Sequence, residues 1–185
     1  MPRLAIALWS ASGSIARAGE MIADGARGEG AEVALIDVAS IDAAGWRVLA
    51  GADAIAFGTP TYMGGPAAGF KAFMDASGVE IFLERQWLDK LAGGFTSGVN
   101  TGGDKLATLQ ALSVFAAQQG MIWVGQDVIG APVVEGNRGL NLSGTFLGLA
   151  VNSDGAGGLA EGCESSARLF GARLARVARI LSASR

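Results

Sequence analysis

The stretch Phe57-Gly58-Thr59-Pro60-Thr61-Tyr62-Met63-Gly64-Gly65-Pro66 constrains the fold more than any other part of this chain. The apolar run Ala54-Ile55-Ala56-Phe57 stops abruptly at Gly-Thr-Pro-Thr, and Gly64-Gly65-Pro66 then launches a helical pattern from Ala67 to Ala76. Continuous apolar residues indicate a strand buried on both faces. A buried strand that ends in a polar loop feeding a helix is where open α/β sheets hold their ligands. The first strand repeats the design: Leu4-Ala5-Ile6-Ala7-Leu8-Trp9 runs into Ser10-Ala11-Ser12-Gly13-Ser14, and a helix follows. Two such loops at one end of one sheet point to a single ligand held between them.

Helical and extended patterns alternate along the 185 residues, as in a parallel sheet with helices on both faces. Strands are expected at 4–9, 32–37, 54–58, 92–97 and 121–125. Helices are expected at 14–28, 41–49, 66–76 and 104–119, with Pro66 at the first helical position, where its missing N–H costs little. Helix 14–28 is expected to bury Ile15, Ala18, Met21 or Ile22, and Gly25, and helix 104–119 is expected to bury Leu106, Leu109, Leu112 and Ala116. In the last helix Cys163, Ala167, Phe170, Leu174, Val177 and Leu181 recur at spacings of four and three and form one apolar stripe. Between Gln126 and Gly158 the pattern is irregular and rich in Gly, Asn and Ser. A segment of that length closes over a site or forms a subunit contact. The length fits one domain over 1–185. Five parallel strands with intervening helices suit a three-layer sandwich of flavodoxin-like order 2-1-3-4-5, in which FMN sits at the switch point between strands one and three.

Composition removes several function classes. The net charge of -3 offers no electrostatic case for nucleic acid or an anionic membrane. With no histidine and one cysteine, Cys163, a zinc or iron–sulfur site has almost no ligands, and a histidine-based triad is excluded. The apolar run after Arg3 is only six residues and is broken by Ser-Ala-Ser-Gly-Ser, so it reads as a first strand and not as a leader. No run approaches the roughly 20 apolar residues of a membrane span. A cytoplasmic protein without membrane insertion is expected.

The first loop, Ser10-Ala11-Ser12-Gly13-Ser14-Ile15, holds three hydroxyls and opens a helix, whose free N–H groups and positive dipole end favour an anion. It carries no lysine or arginine, so phosphate would be held by hydrogen bonds alone. It matches neither the P-loop nor the Rossmann glycine pattern. The plain alternative is an N-cap at Ser12 or Ser14. In the second loop Pro60 stiffens the chain, Thr61, Tyr62 and Met63 can border a flat ring, and Gly64-Gly65 permit close approach. In the third, Ser97-Gly98-Val99-Asn100-Thr101-Gly102, backbone groups can pair with a ring edge; the alternative is a glycine-rich connection. Phe82 and Trp87 either pack the core or wall a planar substrate, and Cys163 on its apolar stripe is structural.

Ser10–Ile15, Gly58-Thr-Pro-Thr-Tyr-Met-Gly-Gly65, Phe73-Met-Asp75, the Lys90-Leu-Ala…Phe95-Thr-Ser97…Thr101-Gly-Gly103 run and Gly120-Met121-Ile122 together resemble the WrbA-type NAD(P)H:quinone oxidoreductases, in order and over nearly the whole chain. The resemblance implies non-covalent FMN, with Ser10–Ile15 on the phosphate, Thr61–Met63 around the ring and Ser97–Gly102 at its polar edge. It implies NAD(P)H as donor, with Ser12 near the nicotinamide nucleotide, a quinone as acceptor beside Phe82, and a homotetramer whose sites neighbouring subunits complete. The chain departs from the family in having Gln118-Gln119 where a histidine precedes Gly-Met, Tyr62-Met63 in place of Arg-Phe, and Ser12 where a tyrosine is common. The expected activity is two-electron transfer from NAD(P)H to a quinone by a ping-pong mechanism, with no acid–base residue required. The alternatives are a flavodoxin-like electron carrier or an NAD(P)H-dependent FMN reductase.

Overall fold

The computed structural model describes residues 1–183, so Ser184 and Arg185 of the expected 1–185 domain lie outside the described residues. Strand β1 (Arg3–Leu8) leads to α1 (Ser14–Gly28), β2 (Glu32–Asp37), α2 (Ala43–Gly51) and β3 (Ala54–Tyr62). A two-residue strand β4 (Gly65–Pro66) precedes α3 (Ala68–Ser77), β5 (Leu91–Gly98) and α4 (Lys105–Gln118). Then come β6 (Ile122–Trp123), β7 (Leu149–Asn152) and α5 (Cys163–Ala183).

The sheet runs β2-β1-β3-β5, parallel throughout, and its fifth position is shared. β6 pairs with Leu91 and Ala92 of β5, while β7 pairs with Phe95 to Gly98 on the same strand. The flavodoxin-like order therefore holds, with one correction: the strand expected at 121–125 is only the first half of its position. The chain leaves the sheet after Val124, whose N–H still reaches the Ala92 carbonyl, and returns at Leu149. The irregular 126–158 segment thus comprises an excursion up to Gly148, the strand β7 and the loop that follows it. Its apolar run Leu149–Val151 is buried in the sheet and unavailable as a subunit contact; Phe146, just before it, is exposed.

Period-two alternation splits the core into two layers. Leu4, Ile6 and Leu8 of β1 join Ala54, Ala56, Leu91 and Phe95 beneath α1 and α5. Ala5 and Ala7 join Ile55, Phe57 and Ala92 on the other side, against α2, α3 and α4. That second layer is aromatic: Phe73 stacks on Trp46 at 5.1 Å and 14°, and the fully buried Trp87 sits 5.7 Å from Phe57. Trp87 is therefore a core residue. Among the described residues no helix is long and apolar enough to cross a membrane.

Three helix expectations need correction. Pro66 is not the first residue of α3; it pairs with Thr61 across a hairpin, and Ala67 precedes the helix with its N–H on Thr59 Oγ1 at 3.1 Å. In α4 Leu106 is exposed, because the buried face is Lys105, Thr108, Leu109, Leu112, Phe115 and Ala116, a stripe with two polar members at its start. In α1 Gly25 is only half-buried, yet it matters for another reason.

Helices α1 and α5 lie side by side at glycine distance. A Cβ on Gly171 would stand 1.9 Å from the Ile22 carbonyl oxygen, and one on Gly25 would stand 1.9 Å from that of Arg168. Ion pairs clasp both ends: Arg17 to Glu164 at 2.7 Å, and Glu29 to Arg176 at 3.1 Å and Arg179 at 3.2 Å. Hydrogen bonds from Arg176 and then Arg179 hold the Glu29 carboxyl below the ordinary glutamate range. We predict that Gly171→Ala costs about 1–3 kcal/mol, because the two helices must separate. Gly28→Ala, with open space around it, should be neutral or stabilising by about 0.4–1 kcal/mol. Urea denaturation of both variants checks this; equal midpoints would refute the close-packing account.

Candidate functional site

Because β1, β3, β5 and β7 are parallel, their carboxyl ends fall on one edge of the sheet, and four loops converge there. They enclose a cleft with a cavity volume of about 280 Å³. The first loop contributes Ser12 and Ser14, the second Pro60, Thr61 and Tyr62, and the third Ser97, Gly98 and Val99. The fourth, after β7, contributes Ser153 and Gly155, which the sequence reading left inside the irregular segment. The signal was present: Leu149-Ala-Val-Asn152 running into Ser153-Asp-Gly repeats the strand-to-polar-loop pattern of the other three.

The first loop is organised by Ser10, whose Oγ accepts from the Gly13 and Ala16 N–H groups at 3.2 Å each. Neither Ser12 nor Ser14 caps α1; the cap position is Gly13, at φ 100°, a conformation that suits glycine. The N–H groups of Ser14 and Ile15 have no acceptor among the described residues, the usual state of a helix's first turn. The Ser14 and Ser97 hydroxyls meet at 3.2 Å, tying the first loop to the third. The side chain of Ile15 is core, and Ala11 is exposed outside the cleft. Arg17, the nearest arginine along α1, is committed to Glu164 and Glu20, whose hydrogen bonds raise its pKa further.

The second loop is more regular than expected. β3 continues through Thr59 to Tyr62 and folds back on β4, with only Met63 (φ 49°) and Gly64 (φ 79°) at the turn. Two positive φ values in a two-residue hairpin loop make a type I′ turn, which fits the strand twist. Met63 stands fully exposed at the tip, outside the cleft lining, while Tyr62 packs edge-on against Trp9 at 6.2 Å. Thr61 Oγ1 lies 2.8 Å from both Thr96 Oγ1 and Thr108 Oγ1, a buried hydroxyl relay that joins β3, β5 and α4.

In the third loop, Asn100, Thr101 and Gly102 lead away from the cleft. Gly102 borders a separate hollow with Phe146, and the Thr101 carbonyl accepts from Ser143 Oγ at 3.3 Å. The fourth loop closes the remaining side. The Ser153 N–H donates to the Gly98 carbonyl at 3.0 Å, and Asp154 Oδ1 accepts from Ala156 and Gly158. A Cβ on Gly13 would lie 3.0 Å from the Gly157 oxygen, so the first and fourth loops are in contact. Asp154 lies in the chain between the lining residues Ser153 and Gly155, whereas Asp104 stands just before α4. Phe82 is not brought to these loops: it lines a hollow between α3 and α4 with Met74 and Gln119.

These residues fit a phosphorylated planar cofactor. The free N–H groups of Ser14 and Ile15 open α1 beside the Ser12 and Ser14 hydroxyls, and Tyr62 and Gly98 line the same cleft. We predict that Thr61→Val, which strands the Thr96 and Thr108 hydroxyls, destabilises the fold by roughly 1–3 kcal/mol. A thermal or denaturant midpoint equal to that of the parent would show that the relay contributes nothing.

The family model described as NADPH-dependent FMN reductase matches residues 6–133. Flavodoxin FldP of Pseudomonas aeruginosa (strain UCBPP-PA14) is 36% identical over 165 residues, 85% of this chain and 89% of that protein. An NAD(P)H dehydrogenase (quinone) of Geotalea uraniireducens is 32% identical over 145 residues, covering 66% of this chain and 71% of that protein. Among solved structures, a flavodoxin, WrbA-like protein from Agrobacterium tumefaciens superposes with a TM-score of 0.77 at 36% identity, covering 97% of this chain and 99% of that one. The chain therefore belongs to the NADPH-dependent FMN reductase family of flavodoxin-like oxidoreductases, as a WrbA-type member.

Proposed function

We propose that the chain binds FMN in the four-loop cleft and passes two electrons from NAD(P)H to a quinone by a ping-pong mechanism. The observation that carries this reading is the neutrality of the cleft. Its lining holds no carboxylate, ammonium, guanidinium or thiol, so the serine, threonine and tyrosine hydroxyls there have no charged base beside them to activate them. This favours chemistry supplied by a bound cofactor. When bound, FMN accepts a hydride from one substrate and delivers two electrons to the next. The protein's part is placement: Ser12, Ser14 and the Ser14 and Ile15 N–H groups hold the phosphate, Tyr62 walls the ring, and Ser97 to Val99 meet its polar edge. One open face admits one ring at a time. A cytoplasmic setting, where NAD(P)H is available, completes the reading.

Phe82 enters this scheme only through assembly. We propose a homotetramer in which the Phe82 hollow, flanked by the exposed Val79, Leu83 and Val114, faces a neighbouring subunit and its quinone. A second reading, a flavodoxin-like electron carrier, is supported by the name of the Pseudomonas relative, which spans most of both chains. Turnover of NADH or NADPH with benzoquinone separates the two, and free FMN in place of the quinone tests reductase activity.

Fluorescence titration should give one FMN per chain. Ser12→Glu, at an exposed position, places a carboxylate beside the phosphate and should weaken binding by about tenfold or more; unchanged affinity would displace the phosphate from this loop. In steady state, double-reciprocal plots at several quinone concentrations should be parallel, and intersecting lines would eliminate the ping-pong order. Light scattering at micromolar protein should give a tetramer mass, and Phe82→Ala should raise the quinone KM with FMN affinity intact. A monomer with an unaltered KM in that variant would remove Phe82 from the site.

A further inference from the structure

Among the described residues Lys105 is the one buried cation, and the mechanism above does not use it. It is 1% exposed and forms no ion pair among the described residues. Gly103 and Asp104, both with φ 51°, turn the chain just before it, so the first residue of α4 points inward where an exposed lysine would be the ordinary outcome. Its Nζ donates to the Asn152 Oδ1 and to the Val151 carbonyl at 3.3 Å, both at the end of β7. Its stem runs beneath Gly98, where a Cβ would meet Cδ at 3.5 Å. Gly98 and Ser153, the neighbours of these contacts, both line the cleft.

We propose that Lys105 is the fixed internal cation of the cofactor cleft, a positioning residue that favours the two-electron-reduced state of the bound FMN over the oxidised state. The proposal rests on the FMN reading above. Hydride transfer moves two electrons and one proton from the dihydronicotinamide to the cofactor, leaves the nicotinamide as a cation, and adds one negative charge to the cleft. The lining has no cation to meet that charge, whereas the ammonium under Gly98 and Asn152 does, held by two neutral acceptors and screened from water. Cys163, whose Sγ accepts the Asn152 N–H at 3.3 Å, is a titratable group that acts on it. Burial pushes the Lys105 ammonium below the ordinary lysine value, against a smaller upward pull from Cys163. A negative charge arriving in the cleft draws it back up.

The test is the midpoint potential of the FMN-loaded protein. Lys105→Met keeps the stem and removes the charge, and it should shift the potential to more negative values. The reduced cofactor should lose about tenfold in affinity relative to the oxidised one, the order of effect of one buried unit charge across an effective dielectric of about 20. Asn152→Asp leaves Lys105 in place and pairs it with a carboxylate, so the potential should shift in the same direction; it decides the matter if Lys105→Met does not fold. A residue that only braced β7 would lower the melting temperature and weaken both redox states equally. An unchanged potential in either folded variant overturns the inference while leaving FMN binding intact. Absence of FMN binding by the parent protein, read by fluorescence titration, overturns the cofactor reading and this inference with it.

Discussion

The structure depends on the pairing of β5. One side of this strand is fully matched to β3, from Leu91 against Ala54 to Ser97 against Pro60. The other side is divided between β6 and β7. Gly93 and Gly94 lie at the division, with a Cβ on Gly94 destined to sit 2.6 Å from the Trp123 ring. Gly148 approaches the Gly94 carbonyl just as closely, 2.5 Å from a Cβ built on it. The incoming chain thus fits against β5 only because both contacts are made by glycine. From this division follow the excursion between the two halves, the fourth loop after β7, and the closure of the cleft against Gly98.

Much of the fold was legible because its signals are local. Continuous apolar runs gave the strands β1 and β3, and the four-three spacing from Cys163 gave α5. The failures share a cause: each depends on a partner distant in the chain. β6 alone is two residues long, and although Leu149–Asn152 has the local pattern of a strand, only its pairing with Phe95–Gly98 puts it in the same sheet position as β6. Pro66 carries the sequence mark of a helix start, but the positive φ of Met63 and Gly64 folds it against Thr61 first. Leu106 has the composition of a core residue, yet the helix turns by one position to bury Lys105 and Thr108, because Asn152 and Thr61 supply their hydrogen-bond partners.

The site was legible as three loops and not as their internal division of labour. Ser10 is expected on the phosphate, and in the structure its hydroxyl oxygen accepts from the N–H groups of Gly13 and Ala16 and shapes the loop from within. Met63 and Asn100 to Gly102 belong to the loops of the cleft but lie outside its lining. Only the order of hydrogen bonds distinguishes these positions from Ser12, Ser14 and Tyr62, and that order is fixed by Ser97 and by Gly157 across the cleft.

Neutrality of the lining and burial of Lys105 belong to one electrostatic design. A carboxylate in the cleft would repel both a phosphate and a ring that gains negative charge; a lysine on its surface would be hydrated and screened. Placing the ammonium behind Gly98 removes that screening, at the cost of taking an unpaired charge out of water, a penalty of several kcal/mol that two carbonyl-type acceptors only partly offset. A methionine would fill the same space without that penalty. Local rules are most often broken at functional sites, where the strain or desolvation serves a ligand. In this molecule the break falls directly beneath two of the four cleft loops, at the end of the strand position whose division created the cleft's last wall.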